Sequence, residues 1–198
     1  MNLRRTLLKT VAAAATMAAI APAVWAADNY PSRPIKLIVP FGAGGSTDIV
    51  ARLLADKMGP ILGQAVVIEN KGGAGGSIGA AEIAKSAPDG YTIGMATVST
   101  HGSNPAIMSK LPYDARKDFA PITNVMAVPS VFVVHPSVPA NTMQEFIALA
   151  KKEPGKYSFA SPGTGSLGHA NIENFMNLAG IELLHVPYKG AGLSLIHI

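Results

Sequence analysis

Three glycine-rich turns, each set between an apolar run and a helix-like segment, constrain this chain more than any other feature. They are Phe41-Gly42-Ala43-Gly44-Gly45-Ser46-Thr47-Asp48, Lys71-Gly72-Gly73-Ala74-Gly75-Gly76-Ser77 and Ser161-Pro162-Gly163-Thr164-Gly165-Ser166. The order is strand, bare backbone, helix start, three times over. A helix start carries unpaired N–H groups and a partial positive charge, so it favours an anion. Glycine lets a ligand come close to the backbone. In open α/β sheets such turns gather at the carboxyl ends of the strands, where ligands bind. The pattern predicts a small anion held by main-chain dipoles.

The surrounding sequence supplies the sheet. Ile35-Lys36-Leu37-Ile38-Val39, closed by Pro40, predicts a buried strand. Ser46 or Thr47 is placed to cap the next helix, with Asp48 in its first turn. Ile49, Val50, Leu53, Leu54 and Met58 form its expected apolar stripe, and Gly59-Pro60 and Gly63 its stop. Residues 65–69 predict a second strand, 77–85 a second helix and 91–96 a third strand. This strict alternation implies right-handed crossovers and a mainly parallel sheet. Residues 111–121 are polar and irregular, and 125–134 read as a longer strand. Thr142-Met143-Gln144-Glu145 is a capping box opening a helix to about residue 152. Residues 157–160, 166–178 and 183–186 read as strand, helix and strand, and 188–192 lead toward another helix. The expected division is an α/β lobe over 27–124 and the start of another over 125–198. The latter offers two or three strands, fewer than a stable sheet wants, so the second lobe reads as incomplete.

Residues 1–26 read as an export signal. Arg4, Arg5 and Lys9 precede an apolar stretch too short to span a membrane, and Val24-Trp25-Ala26 suits cleavage after Ala26. The Arg4-Arg5 pair leaves both Sec and Tat routes open. Three of the 16 basic residues and none of the 12 acidic ones lie in this segment, so the remainder is close to neutral. With no basic run left, nucleic acid is not an expected partner. An exported chain without cysteine has no disulfides and must be stabilised by burial.

Enzyme signals are weak. Gly163-Thr164-Gly165-Ser166-Leu167-Gly168 is a literal G-x-G-x-x-G, and Glu69 closes the second strand about where a ribose-binding acid would sit. A dinucleotide-binding α/β oxidoreductase is therefore the alternative. Against it, Pro40-Phe41 separates the first strand from its glycines. Ser166 does not complete G-x-S-x-G, and the histidines lack metal-ligand spacing. No catalytic set, cofactor or metal is expected. His101, His169 and Tyr188 are candidate cleft residues, each open to a packing role instead.

These residues resemble the Bug, or TctC-like, family. The resemblance rests on Arg33-Pro34-Ile35 leading into Val39 to Asp48, on Glu69-Asn70-Lys71 running to Gly79, and on Ala87-Pro88-Asp89-Gly90-Tyr91-Thr92. Ser161 to Ser166 with His169, and Val186-Pro187-Tyr188-Lys189-Gly190, complete it. It implies a periplasmic-binding-protein-like (type II) fold of two α/β lobes. It also implies a periplasmic solute receptor, monomeric at full length, that closes on a small carboxylate. Delivery to the permease subunits of a tripartite tricarboxylate transporter is part of the same implication. Carried over by position, Phe41, Gly42, Ala43, Gly44, Gly45, Ser46, Thr47 and Asp48 hold the carboxylate together with Gly163, Thr164, Gly165 and Ser166. Ser77, Ser99 and His101 are further candidates.

Overall fold

The computed structural model describes residues 30–197, and the expected export signal lies outside them. The elements described here all belong to the unit that begins at Arg33. Strand β1 (Ile35–Val39) is the centre of a three-stranded parallel sheet, flanked by β2 (Val66–Asn70) and β3 (Thr92–Gly94) in the order β2-β1-β3. Helix α1 (Ser46–Leu62) joins β1 to β2, and α2 (Ser77–Lys85) joins β2 to β3. Right-handed crossovers to opposite sides of β1 put these helices on opposite faces. Leu37 and Val39 pack on Ala51 of α1, whereas Lys36 points toward Glu82 of α2. The centre strand is covered on both faces, which is why it is an almost unbroken apolar run.

Three expectations about this half are corrected. Helix α1 runs through Gly59-Pro60 and closes only at Gly63. Pro60 sits in the last turn, where its missing N–H removes one bond to the preceding turn without ending the helix. The buried face of α1 is Asp48, Ala51 and Ala55, while Ile49 and Leu53 are 53% and 61% exposed. Alanines let the helix lie close to the sheet, and Val50, Leu54 and Met58 flank that contact half-buried. Neither Ser46 nor Thr47 caps α1; its cap position is Gly45, with no side-chain bond.

After β3 the chain makes a wide turn (Ser99–Ser103) and a short helix α3 (Asn104–Ile107). Tyr113 then packs with Ala80 and Ala81 of α2. Residues 119–135 form no strand, contrary to expectation. A strand exists only when another pairs with it, and none does among the described residues; Val128 and Val131 are exposed. Phe132 nevertheless anchors this stretch, its ring 5.3 Å from both Phe146 and Phe175.

The second sheet is a parallel pair, β4 (Ser158–Ser161) and β5 (Leu184–Pro187), joined by α5 (Leu167–Ala179). Helix α4 (Met143–Lys152) precedes it, and α6 (Ala191–Ile196) follows. The expected capping box at α4 forms in part: Thr142 Oγ1 accepts from Glu145 N–H at 3.2 Å, but Glu145 Oε2 accepts from Asn141 N–H, one residue before the cap, at 2.7 Å. Phe146, Ala150 and Ile181 make the core of this half. Among the described residues no helix is long and apolar enough to cross a membrane.

Candidate functional site

The carboxyl ends of both sheets bring four turns together, backbone against backbone. Gly42 N–H donates to Lys189 O at 2.8 Å. A methyl group added to Gly75 would stand 2.8 Å from Thr164 O, and one added to Gly190 would stand 2.9 Å from Gly42 N. The three glycine turns read in the sequence do converge, and 188–192 is a fourth.

The N–H groups of a first helical turn have no partner in the helix, and α1 has no side chain capping its own. Gly45, Ser46 and Thr47 line the mouth of a concavity of about 2390 Å³, together with Phe41, Ser99, His101 and Tyr188. That volume exceeds the roughly 300–1,000 Å³ of a small-molecule pocket. The α1 start, Ser99 and Tyr188 all line this space.

Asp48 braces the turn before α1. Its buried carboxylate accepts from Gly44 N–H at 2.9 Å, Arg52 Nε at 3.0 Å and Asn70 Nδ2 at 2.9 Å. Burial alone would raise its pKa, but these donors outweigh burial and hold it below the usual carboxylate range. Asn70 also donates to Phe41 O at 3.1 Å. A side chain from β2 thus fixes the turn after β1, a link that no spacing rule reveals.

The α5 end is largely committed within the protein. Ser166 Oγ accepts from His169 N–H at 3.3 Å, and Ser99 Oγ accepts from Leu167 N–H at 2.9 Å. Gly163 N–H donates to Ser161 Oγ at 3.2 Å and Gly165 N–H to His169 Nδ1 at 3.4 Å. Thr164 alone of this turn is exposed. The G-x-G-x-x-G segment thus meets serine hydroxyls where a pyrophosphate would need open amides.

The remaining candidates divide. His101 Nδ1 lies 2.8 Å from Thr100 Oγ1, its ring is edge-on to Phe119 at 4.5 Å, and burial lowers its pKa. His169 stacks on His185 at 4.1 Å and sits 3.4 Å from Glu173. His185 Nε2 is 2.7 Å from Ser161 Oγ, and burial, then His169, lower its pKa. His169 thus braces the third glycine turn and does not line the concavity. Ser77 is buried at the start of α2. Gly42, Ala43 and Gly44 belong to the first turn but do not line the concavity. Among the described residues no three metal-ligating side chains cluster.

A family model described as the tripartite tricarboxylate transporter family receptor matches residues 50–198. Protein BugT of Bordetella pertussis is 40% identical over 199 aligned positions, covering 100% of this chain and 60% of that protein. Two solved structures from Rhodopseudomonas palustris superpose with TM-scores of 0.80: Rpa4515 with adipate, 35% identical, and MatC with bound malate, 34% identical. Each covers 84% of this chain, which spans 56% and 57% of theirs. The chain thus spans little more than half the length of its relatives. Its two parallel sheets belong to the periplasmic-binding-protein fold, with the second lobe present in part.

Proposed function

Because this chain belongs to the tripartite tricarboxylate transporter receptor family, we propose that it is an extracytoplasmic solute-binding protein that captures a small carboxylate. In this reading residues 1–26 direct export and are removed after Ala26. The protein works as a monomer, turns nothing over, and hands its ligand to the permease subunits of a tripartite transporter. The lobe boundary lies near residue 124. The observation that carries the reading is the uncapped start of α1, set against the turn after β5 and lining the same concavity as Tyr188. The adipate and malate held by two structural neighbours support a carboxylate as the guest.

The chemistry is sufficient in size. A partly buried helix start stabilises an anion by up to about 2 kcal/mol, and each charge-assisted hydrogen bond adds about 1.5–3 kcal/mol. Three such bonds reach the scale of a micromolar complex, about 8 kcal/mol, before closure and ordering are subtracted. Phe41, Gly45, Ser46, Thr47 and Tyr188 are the proposed contacts from the mouth, with Ser99, His101 and Thr164 beside them. Gly42, Ala43, Gly44, Asp48, Ser77, Gly163, Gly165, Ser166 and His169 hold those turns in shape.

A thermal-shift panel tests this. Malate, adipate, a tricarboxylate, an aromatic acid, an amino acid and NAD are each added to the purified protein. A carboxylate at a hundred times its Kd stabilises the fold by about 2.7 kcal/mol, and NAD does nothing. Stabilisation by NAD alone would transfer the site to the dinucleotide alternative.

A further inference from the structure

Asn104 stands fully buried at the start of α3, and no sequence motif singles it out. Its Nδ2 donates to Gly75 O at 3.0 Å, in the turn after β2. The same amide lies beside the Tyr113 hydroxyl and partly offsets the rise that burial gives that phenol. Its Oδ1 has no hydrogen-bond partner among the described residues. That oxygen lies 3.0 Å from where a Cβ on Gly75 would stand, and 3.1 Å from where one on Gly165 would stand. One side chain therefore touches a turn from each sheet.

A buried acceptor left unpaired is uncommon in a folded protein and calls for a reason. The Gly165 N–H supplies one. Its acceptor here is His169 Nδ1 at 3.4 Å, longer than the about 2.7–3.2 Å of a well-formed bond. Gly165 carries no side chain to hinder rotation of its peptide. An empty buried acceptor thus stands close to a turn whose N–H is weakly bonded. The wide turn before Asn104 already reaches the same helix start, through Ser99 Oγ and Leu167 N–H.

We infer that Asn104 is the positioning residue of the ligand seat. Its Nδ2 fixes the Gly75 turn, and its Oδ1 is the acceptor to which the Gly165 N–H swings when a carboxylate is seated. Asn104 does not touch the guest; it sets the main chain that does. The swing rests on the carboxylate-receptor reading, whereas the pinning of the two turns stands without it.

The test compares wild type with Asn104→Leu, of similar volume but without polar atoms. In the ligand-free proteins, amide exchange over 73–76 and 163–167 is roughly tenfold faster in the variant, with β1 unchanged. With malate and adipate as probes, the variant's dissociation rate rises roughly tenfold, while association stays within about twofold. A general loss of fold would instead disturb β1 and both rates. In wild type saturated with malate, a scalar coupling across the hydrogen bond links Gly165 N to Asn104 Cγ. That coupling decides the matter if the variant does not fold. Unchanged exchange and dissociation in a folded variant, or no coupling in the saturated wild type, overturn the inference. If wild type binds neither probe, the carboxylate reading falls with the swing, and the ligand-free exchange alone decides the pinning.

Discussion

In the proposed reading, Asp48 serves a seat for anions without meeting one. A free carboxylate at the mouth would repel the guest. Here its two oxygens are spent on Gly44 N–H, Arg52 and Asn70, so it acts as the internal stay of the first turn. Removing it takes a part-buried acceptor from Gly44 N–H, Arg52 and Asn70. Asp48→Ala is expected to lower stability by about 1–3 kcal/mol, read as a shift in urea midpoint. Asp48→Asn keeps the shape, loses the ion pair with Arg52, and costs about 1–2 kcal/mol. Both variants weaken carboxylate binding in step with the disorder of residues 42–47. An Asp48→Asn protein of unchanged stability but much altered affinity would show the carboxylate meeting the ligand directly.

At the scale of the element, the glycine turns separate into two kinds that look alike as sequence. Gly45 has φ −79°, and an added Cβ would find its nearest neighbour, Gly192 N, at 3.7 Å, an ordinary contact. Gly165 has φ +84°, and an added Cβ would stand 2.7 Å from Met108 Cε and 3.1 Å from Asn104 Oδ1. Gly45→Ala should therefore fold with stability within about 0.5 kcal/mol of wild type. Gly165→Ala should lose about 1–3 kcal/mol, from a backbone conformation that alanine resists and from crowding. Chemical denaturation of the pair checks this, and equal losses would refute the distinction. Strands β1 and β2 were legible because apolar β-branched runs near glycine or proline have few other uses, and β4 and β5 from the alternation of strand and helix. Helix α2 was legible from its apolar spacing between Ser77 and the Pro88 turn. The wide turn 99–103 was not, because it is held by hydroxyl-to-backbone bonds such as Thr100 Oγ1 to Thr97 O at 3.1 Å, which leave no hydrophobic period. Asn104 was hidden for the same reason: its role depends on two turns, Gly75 and Gly165, that lie far from it in sequence. The stretch 125–134 was misread because its composition suits a strand, while pairing is a property of neighbours and not of the run itself.

For the whole molecule the relevant fact is that Lys71, which opens the second glycine turn, and Lys36 are both paired with acids. Lys71 lies 2.6 Å from Glu69 and 3.5 Å from Glu82, and Lys36 joins the same two acids at 3.2 and 3.5 Å. A guest held by neutral amides should bind with only a mild dependence on salt; a steep loss of affinity in titrations from low to high ionic strength would point to a cationic clamp. Stability against pH follows from this pairing and from burial. His101 and His185 have pKa values lowered below the ordinary 6.5, both first by burial. The unfolded chain therefore binds more protons than the folded one as pH falls through that value, and stability declines there. Asp48 has its pKa lowered from 3.8, so its contribution is present above that value and is lost as pH falls further. Lys36 and Lys71 have theirs raised from 10.5, each chiefly by Glu69, so their contribution lasts to alkaline pH and is lost above it. The expected urea-midpoint profile is a plateau between about pH 7 and 10 with two descending steps on the acid side. His185→Gln retains a polar group beside Ser161 and removes one titration, so it should shrink the upper acid step and leave the lower one intact. An upper step of undiminished size would assign that proton to His101 or to the unfolded chain instead.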